Sequence, residues 1–171
     1  CTTFLPEDSV TICRILNEAK VQPSTTNFPI YFARKFLNIP YVAYTLEVND
    51  EERLVVNTRQ LDCTTFVETV TSLTICAYRH LYSWNDYLNV LMNMRYRYGQ
   101  LTDYTNRIHY FTEWITLNMQ AGIVTEIQVP NPPFSAIQQV NVNYMSRHPE
   151  NYKALRLHPE YVGVIRRMEK H

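Results

Sequence analysis

Six apolar residues, Phe66, Val67, Val70, Leu73, Ala77 and Leu81, recur at helical spacing, and Asp62 stands just ahead of them as a candidate N-cap. A stripe of that kind must be buried against other elements, so it commits the middle of the chain to a helix-based core. The first residue inside the cap is Cys63, in the run Leu61-Asp62-Cys63-Thr64-Thr65-Phe66-Val67, where an extended segment turns into the helix. Backbone N–H groups of a first helical turn have no intrahelical partner and the macrodipole is positive there. Both favour thiolate over thiol, and the same N–H groups could hold an oxyanion. Asp62 caps the helix, while its own charge opposes ionisation of its neighbour. Cys63 therefore has two readings: an activated nucleophile, or a small hydrophobe packed in the core.

Helical signals continue on both sides. Pro6, Glu7 and Asp8 open a helix expected to reach about Lys20, residues 23–27 form a loop, and Pro29 begins a short helix through Phe36. Residues 42–60 read as extended or irregular, with an acidic turn at 49–52 and a β-prone run, Leu54-Val55-Val56. Ser83 caps a further helix with Tyr87, Leu88, Leu91 and Met94 inward, ending near Gly99. Another helix is expected over 106–121, with Ile108, Phe111, Ile115 and Met119 on one face and Gly122 as its stop. Residues 123–129 and 137–144 alternate as two strands that would pair as a small antiparallel β-ribbon around Pro130 to Pro133. The remainder reads as short helices, the last opening at Pro159 with Val162, Ile165 and Met168 at helical spacing. That stripe still runs at His171, which suggests that the natural chain continues.

A chain of 171 residues with 46% hydrophobic content can bury one substantial core, so residues 1–171 read as a single α+β domain, rich in helix. Its 16 basic and 16 acidic residues balance, which points away from nucleic acid and anionic membranes as partners. No apolar run approaches the roughly 20 residues of a membrane span. Thirteen tyrosines suit a surface that stacks on sugars and amides, and equally the edges of a core. The N-terminal Cys1 fits a processed, lipid-anchored bacterial protein as well as a trimmed fragment. Cys13 and Cys76 fall in helical apolar patterns and read as packed thiols, with no obligatory disulfide.

Cysteine catalysis needs a base, normally a histidine close in space. His80 ends the Cys63 helix, too far along it to reach back; His148 and His158 each precede a proline, and His171 is terminal. His109 remains, just inside a helix start, either as a base meeting Cys63 or as a surface residue facing Glu113 at i,i+4. Cys76 and His80 stand four apart as zinc ligands often do, but no second pair is present, so no metal is expected.

Several blocks together carry a family signature. Ile39-Pro40-Tyr41 followed by Asp62-Cys63 resembles the Pro-Tyr and Asp-Cys elements of the NlpC-type cell-wall cysteine hydrolases, a papain-like group. Thr45-Leu46-Glu47, Glu51-Glu52-Arg53-Leu54-Val55-Val56-Asn57, Asp62 to Glu68, Arg107-Ile108-His109-Tyr110-Phe111 and Asn143-Tyr144-Met145-Ser146-Arg147-His148-Pro149 look like its N-acetylmuramoyl-L-alanine amidase-like branch.

The resemblance implies the helix-rich front part of a papain-like NlpC-type fold that needs no cofactor. It also implies hydrolysis of the amide between muramic, or anhydro-muramic, acid and L-alanine of a peptidoglycan stem peptide. Cys63 would be the nucleophile and Tyr41 would lie beside it; Asp62, Thr64, Arg107, His109 and Tyr110 fall in motif blocks that would contact the muropeptide. Arg107 and Tyr110, read as sharing one helix face, would grip a stem-peptide carboxylate or form a surface pair. Such a protein would act in the bacterial periplasm, and a monomer is the expected state. Two positions depart from the pattern. Tyr44 stands where relatives usually carry glycine, and the sequence stops before the strand on which the group carries its base histidine, so the chain alone is expected to turn over little substrate. A stem-peptide endopeptidase and a non-catalytic muropeptide-binding module are the alternatives.

Overall fold

The computed structural model describes residues 1–127 and 138–170. Helix α1 (Pro6–Ala19) starts on a proline, whose missing N–H costs nothing in the first turn. Its first turn is closed by Asp8, whose Oδ2 accepts the Leu5 N–H at 2.9 Å. The other oxygen of this fully buried carboxylate accepts both the backbone N–H and the hydroxyl of Thr58, each at 2.8 Å, so α1 is tied to a segment fifty residues away. Helix α2 (Phe28–Arg34) is capped by Asn27, which accepts the Ile30 N–H at 3.2 Å.

A short β1 (Thr2–Thr3) pairs with β2 (Leu54–Val55), and the pair is parallel: Thr2 faces Leu54 and Thr3 faces Val55. The expected antiparallel ribbon is corrected by this arrangement. Residues 123–127 and 138–143 form no strand, while 128–137 lie outside the described residues. Residues 125–127 and 138–141 are exposed, so their alternation has no apolar layer to pack on, whereas Leu54 and Val55 are buried.

Helix α3 (Cys63–Tyr78) packs against α2 and α4 (Trp84–Arg95). Val70, Leu73, Cys76 and Ala77 of α3 meet Ile12, Ile15 and Leu16 of α1, Phe32 of α2 and Tyr87 and Leu91 of α4 in the main core. The Ser83 cap is present, its hydroxyl accepting the Asp86 N–H at 3.1 Å. α3 is also buried on a polar side, where Glu68 pairs with Arg95 at 2.8 Å and Arg95 donates to the Val55 carbonyl at 2.6 Å.

Helix α5 (Phe111–Gln120) starts five residues later than expected and turns a different face inward. A single 3-10 turn at Tyr104–Asn106 and an extended stretch precede it, with Tyr96 and Arg107 bridged antiparallel and the Ile108 N–H bonded to the Arg95 carbonyl at 2.9 Å. Trp114 and Asn118 are buried, while Phe111, Ile115 and Met119 face outward. Asn118 Nδ2 donates to the Met94 carbonyl at 3.2 Å, and this tie to the end of α4 sets the rotation of α5. The chain closes with α6 (Tyr144–Arg147), α7 (Lys153–Leu157) and α8 (Glu160–Met168), whose Met145, Ala154, Leu155 and Ile165 join Tyr104 in a second, smaller core. No helix among the described residues is long and apolar enough to cross a membrane.

Candidate active site

Cys63 occupies the first helical position of α3, and Asp62 is its N-cap in extended conformation. The cap is reciprocal. Asp62 Oδ1 accepts the Thr65 N–H at 2.8 Å and the Thr65 hydroxyl at 2.9 Å, while the Asp62 N–H donates to Thr65 Oγ1 at 2.9 Å. With the cap bonds closed by Asp62 and Thr65, Cys63 projects from the helix mouth and is exposed; its sulfur lies 4.0 Å from Thr64 Oγ1. The hydrocarbon-buried alternative therefore fails for this thiol.

Tyr41 is brought to the same place by backbone pairing. It forms a parallel bridge with Leu61, the Val42 N–H donating to the Leu61 carbonyl at 3.1 Å and the Leu61 N–H to the Pro40 carbonyl at 3.2 Å. Negative charge at Cys63, then slight desolvation and the charge of Asp62, hold the Tyr41 phenol above its ordinary range. The ring is 72% exposed, so its face is open to a ligand beside the sulfur.

Arg107, His109 and Tyr110 do not share a helix face, since they lie in the extended stretch before α5 and Tyr110 is its N-cap residue. Arg107 is only 5% exposed; its guanidinium pairs with Glu47, lies 3.6 Å from Glu52 and stacks over the Tyr104 ring at 4.8 Å. Burial disfavours its charge, but Glu52 and Glu47 more than compensate and hold it firmly protonated. The His109 ring packs on Tyr104 at 4.4 Å, with Nε2 2.7 Å from the Tyr104 carbonyl, so Nε2 carries the proton. Burial, with Arg107 and Arg97 nearby, holds this imidazole well below its usual range and neutral. Neither a base at Cys63 nor an exposed partner of Glu113 is what this histidine has become; Glu113 pairs instead with Arg97 at 2.6 Å. Tyr110 donates to Glu169 Oε1 at 2.6 Å and accepts the Met145 N–H at 3.0 Å, tying α5 to α6 and the end of α8. Burial leads the causes that push its phenol up.

The other described histidines also have partners away from Cys63: His80 with Tyr82, His148 with Glu150, His158 with Glu160. All four cysteines are free. Cys76 is fully buried, and burial pushes its thiol up to about 12, as suits a packed thiol. Among the described residues no group of three or more His, Cys, Asp or Glu could hold a metal ion. Sequence reasoning placed Glu47 and Glu52 in signature blocks without a role. Their acidic side chains sixty and fifty-five positions before Arg107 gave no local signal that they converge on it.

A family model described as N-acetylmuramoyl-L-alanine amidase-like matches residues 31–171. A solved structure from Bacteroides uniformis ATCC 8492, described as an N-acetylmuramoyl-L-alanine amidase, is 34% identical with a TM-score of 0.75, covering 84% of this chain and 59% of that one. A Bacteroides fragilis protein described as a xylanase is 37% identical with a TM-score of 0.73, covering 81% of this chain and 59% of that one. A Legionella pneumophila structure at 21% identity and TM-score 0.58 shares the fold, covering 68% of this chain and 38% of that one. A comparison with curated proteins returns no match. The chain thus spans well under two thirds of the length of the first solved structures that it matches.

Proposed function

The chain belongs to the N-acetylmuramoyl-L-alanine amidase-like family, and from that premise we propose that it carries the nucleophile half of a peptidoglycan amidase with Cys63 as the attacking group. The observation that carries the reading is an exposed sulfur at the first position of α3 with the Tyr41 phenol beside it. The Cys63 thiolate attacks the lactyl carbonyl of a muramoyl or anhydro-muramoyl fragment, the carbonyl oxygen gains negative charge, and the free N–H groups of the helix mouth and the Tyr41 hydroxyl stabilise it. Collapse breaks the C–N bond, the L-alanine amine leaves with a proton, and water releases the thioester as the acid. Asp62 acts as the cap that orients Cys63, and Thr64 borders the sulfur. Arg107, His109 and Tyr110 serve from inside the fold.

Each described histidine is engaged elsewhere, and we place the proton acceptor in a papain-like, NlpC-type sheet outside the described residues. Soluble muropeptides in the cell envelope are the proposed substrates. The engagement of all four described histidines also favours one second reading, a muropeptide-binding module with a reactive but non-catalytic thiol.

Iodoacetamide near neutral pH should label Cys63 well ahead of Cys13 and Cys76, read by mass spectrometry of tryptic peptides. A protein extended to its family's full length should release the L-alanine-bearing peptide from a defined anhydro-muropeptide and lose that activity on Cys63→Ala. Unlabelled Cys63, or activity retained in the alanine variant, sinks the nucleophile reading. A fragment cut beyond L-alanine would identify an endopeptidase instead.

A further inference from the structure

Between the Tyr41 bridge and β2, residues 42–53 form no helix or strand, yet this stretch is the wall that continues from Tyr41. Two of its carboxylates, Glu47 and Glu52, turn inward and meet on one guanidinium, that of Arg107. The side chain of Glu52 is almost wholly buried and also accepts the Tyr96 hydroxyl at 2.6 Å. Arg107 itself is fixed from behind. Its backbone is bridged to Tyr96 next to the end of α4, and its carbonyl accepts from Arg97 at 3.3 Å. Arg97 in turn is held by both oxygens of Glu113, at 2.7 and 2.6 Å.

We infer that Arg107 is a positioning residue that clamps residues 42–53 to the α4–α5 junction and, through them, fixes Tyr41 beside the Cys63 sulfur. The inference rests on the proposed Cys63–Tyr41 pairing. One Arg107 nitrogen bonds Glu47, another lies 3.6 Å from Glu52 and the side chain is buried, an arrangement suited to holding chain rather than to gripping a substrate from solvent. Tyr96 supplies the other buried fastener, its hydroxyl meeting Glu52 at 2.6 Å and the Arg53 carbonyl at 3.1 Å, and the remaining ones are superficial. Thr3 donates to Asn49 Oδ1 at 3.1 Å, and Lys153 pairs at 2.7 Å with Asp50, whose side chain is exposed; pairs of that kind contribute little. Removing Arg107 strands two carboxylates at a buried site, and the simplest relief is for the segment to swing outward into water.

The test uses the chain as it stands and two readouts: native-state cleavage by endoproteinase Glu-C after Glu51, and the pH profile of Cys63 carboxymethylation. Arg107→Met should raise cleavage at least about tenfold and move the Cys63 profile in the same direction as Tyr41→Phe. Arg107→Lys should restore part of both, because a cation remains. Glu47→Gln, at the more exposed edge of the cluster, should move both readouts in the same direction by less, and it decides the matter if Arg107→Met does not fold. Unchanged cleavage in the folded variants overturns the clamp. Increased cleavage with a wild-type Cys63 profile overturns the link to the thiol and leaves Arg107 a purely structural residue. A wild-type profile in Tyr41→Phe itself overturns the Tyr41–Cys63 reading, while cleavage still decides the clamp.

Discussion

Tyr44 sits at φ 63°, in the left-handed region where a Cβ crowds the following carbonyl. The residue is 74% exposed, so little burial offsets the strain, while its neighbour Thr45 is buried and the Tyr44 carbonyl accepts the Glu47 N–H at 3.1 Å. The turn is thus imposed by the burial of Thr45 and the inward course of Glu47, and a glycine would adopt it without strain. Tyr44→Gly should raise stability by about 0.5–1 kcal/mol, the relief of strain less the added freedom of an unfolded glycine, measured as a higher thermal midpoint. A lower midpoint would mean that the ring makes stabilising contacts. Asp8 shows the opposite balance. Burial works against its charge, but the N–H groups of Thr58 and Leu5, the Thr58 hydroxyl and Arg59 together hold the carboxyl below its usual range. A depressed folded-state pKa stabilises above the unfolded value, about 3.9, and that contribution disappears as pH falls through the folded one. Asp8→Asn should therefore cost about 1–3 kcal/mol at pH 7 and progressively less below about pH 4, as read by urea unfolding at both pH values.

At the level of elements, α3 was legible because cap and stripe agree. Asp62 is extended and bonded to Thr65, and Val70, Leu73 and Ala77 are buried. Asp62→Ala should lower stability by about 1 kcal/mol, whereas Asp62→Asn, an equally good cap, should retain most of it; equal losses in chemical denaturation would show that the charge matters more than the acceptor. For α5 the periodicity misled. Phe111, Ile115 and Met119 form a valid helical stripe, but a helix rotates to satisfy its buried polar ties as well as its apolar ones. The Asn118 bond to Met94 and the burial of Trp114 won. The parallel β1–β2 pair was illegible in part for a different reason. Leu54-Val55-Val56 announced a strand, but a two-residue partner fifty-two positions earlier has no pattern of its own.

Across the whole molecule, two apolar clusters are joined through a charged seam in which Arg95 meets Glu68, Arg107 meets Glu47 and Glu52, and Arg97 meets Glu113. Breaking one partner of such a pair strands the other, so the seam makes the two clusters depend on each other. It also redistributes the residues of the signature blocks. Cys63 and Tyr41 stay outside, at the helix mouth, while Arg107 is drawn inside and the half-buried His109 and Tyr110 bond Tyr104 and Glu169. The sequence by itself determined helices such as α1, α3 and α4, because spacing, caps and prolines act within a few residues, and it marked the junction at which a cysteine could be reactive. Only the tertiary structure decided which partners the buried charges found and which face of α5 turned inward, because burial couples residues far apart in the chain through desolvation that no local pattern encodes.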